Sequence, residues 1–194
     1  MPLPSPAACP MTPIEIGVPD GIITLDIQGD AYFCLYAPQA LPAPLRCETR
    51  PIEVELPTGD ATLDVRAIWS LLLALVRTLV DLRRCSFAEL LDHVGSTASR
   101  IVPARFDFCP YGRAVAQFER FSLYIPFRFQ CLFRAYWLIH FLARRGLRAQ
   151  WIFGASLFPF EAHCWVVCDG HLLGERAHRL EGLTVLLAVP SQPS

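Results

Sequence analysis

Between residues 130 and 175 the apolar pattern changes from helical to alternating, and this forces a helix to pack beside a β-hairpin. The run Cys131-Leu-Phe-Arg-Ala-Tyr-Trp-Leu-Ile-His-Phe-Leu-Ala-Arg-Arg145 places apolar residues at 132, 133, 136, 138, 139, 142 and 143. That spacing fits a 3.6-residue period rather than a two-residue one and predicts a helix over 131–145. Arg144 and Arg145 suit the negative C-terminal end of the helix, and Gly146 suits the position after it. A strand is expected over 149–153, stopped by Gly154. A loop with Pro159 follows, then a strand over 163–168, a turn at Asp169-Gly170 and a return strand over 171–175. A thiol thus heads a helix, an imidazole opens the first strand of the hairpin, and a carboxylate ends the second. Cysteine hydrolases use those groups in those settings: the helix head favours a thiolate, the imidazole shuttles a proton, and the carboxylate orients the ring. The expected nucleophile is Cys131, the general base His163 and the orienting carboxylate Glu175.

Four pieces of this stretch resemble one family in order and spacing. They are Cys-Leu-x-Arg-Ala at 131–135, Arg-Arg-Gly-Leu-x-Ala at 144–149, Pro-Phe-x-Ala-His-x-Trp-Val at 159–166 and Asp-Gly at 169–170. They look like the lasso-peptide B proteins, transglutaminase-like cysteine proteases that remove the leader from a lasso precursor. That family usually has Asp where this chain has Glu175. The resemblance implies an α+β fold with a transglutaminase-like, papain-like cysteine protease core. It implies three partners: the lasso precursor peptide, an asparagine-synthetase-like cyclase that closes the macrolactam, and an exporter. Any ATP dependence would come through the cyclase, with no cofactor bound by this chain.

The composition narrows the alternatives. All 17 basic residues are Arg, so a P-loop lysine, a Schiff-base lysine and a Ser-Lys pair are all excluded. A net charge of −1 gives no reason to expect nucleic acid. The chain is 53% hydrophobic, high for a soluble monomer, which we read as surface covered by partners. The longest apolar run, 67–80, contains Arg77 and falls short of the roughly 20 residues of a membrane span. The first thirteen residues hold five prolines and no basic segment, so no signal peptide is expected and the eight cysteines read as reduced thiols in a bacterial cytoplasm.

The rest of the chain divides at about residue 60. Residues 1–60 are expected to form a small β region resembling the winged-helix leader-recognition domain related to the PqqD fold, and 61–194 the protease domain. The first thirteen residues should be disordered. A strand over 14–27, turn chemistry at Gln28-Gly29-Asp30 and a return over 31–36 predict a hairpin. Residues 52–56 alternate and are expected as its third strand. Ile52, Val54 and Leu56 would then hold the leader by strand addition. Thr62 or Asp64 should cap a helix reaching about 84. Ser86 and Glu89 form a capping box for a helix over 87–94, with a loop over 95–99. A short helix is expected over 113–121 and a last strand over 184–189, with a loose tail beyond.

Three further assignments concern the site. Arg134, one turn after Cys131, is expected either in a salt bridge or on substrate backbone. Gln130 is a candidate oxyanion donor. His140 is expected in the core. Cys164 and Cys168 share a strand face and, with Cys34 or Cys47, could form a zinc site; without a Cys-x-x-Cys pair, strand burial explains them more simply and no metal site is expected. The loop after Cys168 should have three residues, 168–170, because that register pairs 163 with 175 and sets His163 and Glu175 on one face. A rival from another class keeps the fold without the chemistry: a peptide-binding chaperone that presents the precursor to a cyclase. An acyl or amide transferase using the same three residues is a third.

Overall fold

The computed structural model describes residues 13–18, 20–36, 52–53, 62–101, 107–125 and 130–190. Helix α4, Cys131–Arg144, is its centre, and its residues 135–142 are all buried. A helix apolar on every face has to be enclosed. Helices α1 (Val65–Arg84), α2 (Phe87–Ser99) and α3 (Phe108–Ser122) pack around it, and a five-stranded sheet covers the remaining side. The Trp137 indole donates to the Leu71 carbonyl of α1 at 3.1 Å and lies 4.6 Å from the Phe118 ring of α3. The Tyr136 hydroxyl donates to Asp81 at 2.8 Å. Each buried polar tip of these aromatics therefore finds an acceptor on a neighbouring helix.

The helix starts follow the sequence chemistry. Asp64 caps α1 by accepting the Ala67 amide at 2.7 Å. Ser86 and Glu89 close a reciprocal box at the head of α2. Two helices are longer than expected. Helix α2 runs through Gly95 to Ser99, since Gly95 faces open space apart from a Val189 methyl at 4.0 Å. Helix α3 begins at Phe108 rather than 113, because Asp107 caps it by accepting the Cys109 amide at 3.1 Å.

The main sheet has the order β4-β7-β6-β5-β8, with β4 at Ile52–Glu53, β5 at Gln150–Ser156, β6 at Glu161–Cys168, β7 at His171–Leu173 and β8 at Thr184–Val189. Strand β5 passes through Gly154 instead of stopping there. The Trp165 indole on β6 occupies the space a side chain would need: a Cβ at 154 would lie 2.7 Å from that ring. The register against β8 slips at the same point.

Residues 14–36 form a separate sheet of three strands, β1 (Ile14–Val18), β2 (Gly21–Asp26) and β3 (Ala31–Tyr36). The expected single strand over 14–27 is two antiparallel strands, with Val18 paired to Gly21. The Asp26 carboxylate accepts the amides of Gln28 and Gly29 and closes the turn into β3. The expected third strand does not join this sheet. Ile52 pairs in parallel with His171, and Glu53 with Leu172, at the edge of the main sheet. Val54, Leu56 and the tails before 13 and after 190 lie outside the described residues. The two sheets share apolar contacts, with Val18 and Ile23 packing against Ala155, Leu157 and Leu186.

The Trp165–Gly154 contact is tested by one methyl group. Gly154→Ala is expected to destabilise the protein by roughly 1–3 kcal/mol, because a rigid ring fills the space. Gly95→Ala, inside a helix with room around it, is expected to stabilise by up to about 1 kcal/mol. Urea denaturation of both variants checks the pair.

Candidate active site

Cys131 is the first residue of α4, and no side chain caps the helix head. Gln130 holds the cap position with extended backbone and makes no capping hydrogen bond. The first amides of α4 are thus not occupied by a capping side chain, beside a half-buried thiol. Hydrogen bonding from Cys164, and then from His163, draws the Cys131 thiol down to about 4, against the opposing effect of burial. Cys164 moves the other way: its bond to Cys131 and its burial keep it a protonated thiol. The His163 ring is raised to about 9, first by its bond to Cys131 and second by Glu175, with burial opposing.

His163 Nε2 lies 2.9 Å from Glu175 Oε2, with only 17% and 12% of the two side chains exposed. This leaves ring nitrogen Nδ1 for the thiol. Burial raises the Glu175 carboxyl, but hydrogen bonds from His163 and from the Arg176 amide outweigh it, and the group sits at about 2. The Trp165 ring stacks beside His163 at 6.2 Å, which limits how far the imidazole can swing.

The loop that brings Glu175 to His163 is not the expected one. Cys168 pairs with His171, so the turn has two residues, Asp169 at φ 48° and Gly170 at φ 77°. Gly170 has the expected positive φ, and Asp-Gly is the natural choice where both central residues need it. Continued in this register, the ladder would set residue 163 opposite 176 and turn Glu175 to the other face. The ladder ends at Leu173 instead. Gly174, at φ 70°, bends the chain and returns the next side chain to the imidazole.

Arg134 holds that bend. Its guanidinium pairs with Glu119 of α3, donates to the Gly174 carbonyl at 3.3 Å, and lies 5.2 Å above the Phe118 ring. Glu119 is raised by burial while Arg134 opposes the shift. A Cβ at 174 would lie 3.1 Å from Glu119 Oε1, so glycine is required both by its φ and by the ion pair against it.

Of the other assigned residues, Gln130 is exposed at the helix head, and Ile52 is placed by its backbone pairing on the far side of β7. His140 is buried and neutral: burial lowers its pKa to about 4, and its Nε2 has no hydrogen-bond partner. The six cysteines among the described residues are unbridged. Among those residues, the group able to hold a metal ion is not at Cys164 but at Asp81, Cys85 and His93, where α1 meets α2. Asp81 Oδ2 already accepts from Tyr136 at 2.8 Å and from Arg77 at 3.1 Å, so hydrogen bonds account for this cluster.

Two participants were not read from the sequence. Strand burial is what the sequence offers for Cys164, and only the approach of α4 shows its bond to Cys131. Tyr32 of β3 is pushed up to about 12, first by burial and then by the electrostatics of the Cys164–Cys131 pair, so a neutral phenol from the N-terminal sheet faces the site. No short-range signal could have found it.

A profile of the transglutaminase-like superfamily matches residues 72–188, which include α4, the hairpin and Glu175. No curated protein and no solved structure matches the chain. Among the described residues, no helix is long and apolar enough to cross a membrane.

The bend at Gly174 should set the charge state of the ring. Arg134→Ala and Gly174→Ala are each expected to lower the His163 pKa from about 9 toward its ordinary 6.5, with Arg134→Lys intermediate. An NMR titration of the imidazole checks this; an unshifted ring in both variants would separate Glu175 placement from the Arg134–Glu119 pair.

Proposed function

The chain belongs to the transglutaminase-like superfamily, and on that premise we propose that it is a cysteine endopeptidase that removes the leader from a lasso-peptide precursor before macrolactam closure. The observation that carries this reading is His163 held 2.9 Å from Glu175 beside a Cys131 thiol drawn down to about 4 at an uncapped helix head. The lasso assignment rests on the four motif pieces at 131–135, 144–149, 159–166 and 169–170.

In this mechanism Cys131 Sγ attacks the scissile carbonyl as a thiolate. The amide of Cys131 at the head of α4, where no side chain caps the helix, and Gln130 beside it donate to the developing oxyanion. His163 enters as imidazolium and gives its proton to the leaving amine, which breaks the C–N bond and leaves an acyl-enzyme. The neutral ring then takes a proton from water, whose oxygen attacks the thioester and frees the acid. Glu175 holds Nε2–H and keeps Nδ1 turned to sulfur throughout. The Cys164 thiol stabilises the thiolate between turnovers, at the cost of some nucleophilicity.

The N-terminal sheet supports a docking role for the leader, on a strand other than 52–56. Strand β3 is an edge of its sheet, and Phe33, Leu35 and Tyr36 on it are 59–61% exposed. Phe158 and Phe160, from the loop before β6, stand edge-on to Tyr36 and Tyr32 and extend this apolar strip to the phenol facing Cys131. A peptide added to the β3 edge would lead toward the thiol. The asparagine-synthetase-like cyclase would receive the product, any ATP dependence would reside in that partner, and an exporter would act last; the chain would work in a bacterial cytoplasm.

Three measurements test this reading. Cys131→Ala is expected to reduce leader release, followed by mass spectrometry, on the order of 10⁴-fold or more. Full cleavage by that variant would sink the thiol mechanism. The rate should rise as pH passes about 4, where the thiol ionises, and fall as pH passes about 9, where the imidazolium proton is lost; a single ionisation near 8 would contradict the ion pair. Leu35→Asp should weaken precursor binding by about tenfold in fluorescence polarisation, yet leave alkylation of Cys131 by iodoacetamide unchanged.

A further inference from the structure

Helix α1 has one face that the other described residues do not cover. Ala67, Leu71, Ala74 and Thr78 are buried on its inner side. On its outer side Val65, Trp69, Leu72, Val76 and Leu79 recur at alternating steps of four and three and are 71, 60, 38, 57 and 41% exposed. Scattered exposed leucines are ordinary on any surface, but a strict four–three repeat over two full heptads is the seam of a helix pair. Leu73 and Val80 flank the seam on the open side, 44% and 42% exposed, whereas Leu75 and Leu82 on the other flank pack into the protein's own core. The stripe is therefore open on one side only, which suits one partner helix.

We infer that α1 pairs antiparallel with α1 of a second copy of this chain across a two-fold axis. Charge selects the antiparallel direction. Parallel pairing would set Arg83 on Arg83 and Trp69 on Trp69 within the seam. Antiparallel pairing with Leu72 opposite Val76 of the second copy sets Trp69 opposite Leu79 and Val65 under the stem of Arg83. The bulky ring then meets a smaller side chain, and the two Arg83 guanidinium groups lie at opposite ends of the pair. Area agrees with this occupant. The exposed stripe offers about 600 Å² of apolar side chain per copy, so a symmetric pair would bury about 1,200 Å², the lower bound of a stable specific interface. A two-fold contact of this kind uses the same patch on both copies and closes on itself.

Sedimentation equilibrium of the full chain is expected to return twice the 21.7 kDa chain mass. Val76→Glu, at an exposed position, should lower the association constant about a hundredfold with no change in the circular dichroism spectrum. Leu73 lies at the two-fold axis, so Leu73→Cys should add a disulfide-linked dimer on mild oxidation, and Val65→Cys should add none. A monomeric parent chain, a dimer that survives Val76→Glu, or cross-linking by Val65→Cys as strong as by Leu73→Cys would each overturn the proposal. A monomer that binds anionic vesicles through this face would do the same and would point to a membrane surface instead.

Discussion

Helix α4 is apolar around its whole circumference, and enclosing it determines most of the fold. Three helices and a sheet are needed to cover it, and α1, α3 and the sheet each contribute an aromatic contact or a hydrogen-bond acceptor to the Tyr136 and Trp137 pair. Such close packing fixes the helix axis, and with it the position of Cys131 at its first residue. The thiol sits where the enclosure ends, half-buried and beside amides that no side chain caps. Burial alone would raise its pKa; the neighbours at the mouth of the enclosure reverse the sign.

Strand geometry and site geometry pull in different directions at the hairpin. The alternation that buries Cys164 and Val166 against α4 would carry Glu175 away from His163 if the ladder ran on. The protein ends the ladder at Leu173, spends one glycine at positive φ, and ties the resulting bend to α3 through Arg134 and Glu119. Arg134 thus connects the helix that bears the thiol to the turn that bears the carboxylate. The longer glutamate fits this arrangement: Gly174 sets the approach, and the Arg176 amide holds the second carboxylate oxygen at 3.1 Å.

Much of this was legible in the sequence, for local reasons. The caps at Asp64 and Ser86, the helix from Cys131 and the strand at 184–189 depend on side chains within a few residues of the feature they produce. The pairing of His163 with Glu175 was also anticipated, but from a three-residue loop that does not form. What escaped notice was set by distant residues. Gly154 reads as a stop and is in fact a seat for Trp165. The strand at Ile52 reads as part of the nearest sheet, yet its partner is His171. Tyr32 enters the site from another sheet altogether. In each of these cases local propensity left two outcomes close in energy, and tertiary packing chose between them.

The strand order also bears on how the site is assembled as the chain is made. Strand β4 must wait for β7, because Ile52 and His171 are 119 residues apart (171 − 52). Cys131 leaves the ribosome before His163 and Cys164, and these before Glu175. Until β6 has brought Cys164 and His163 to the head of α4, Cys131 is an ordinary thiol at the end of a nascent helix. The low pKa of Cys131 is therefore a property of the assembled sheet and helix, not of the helix that carries the thiol.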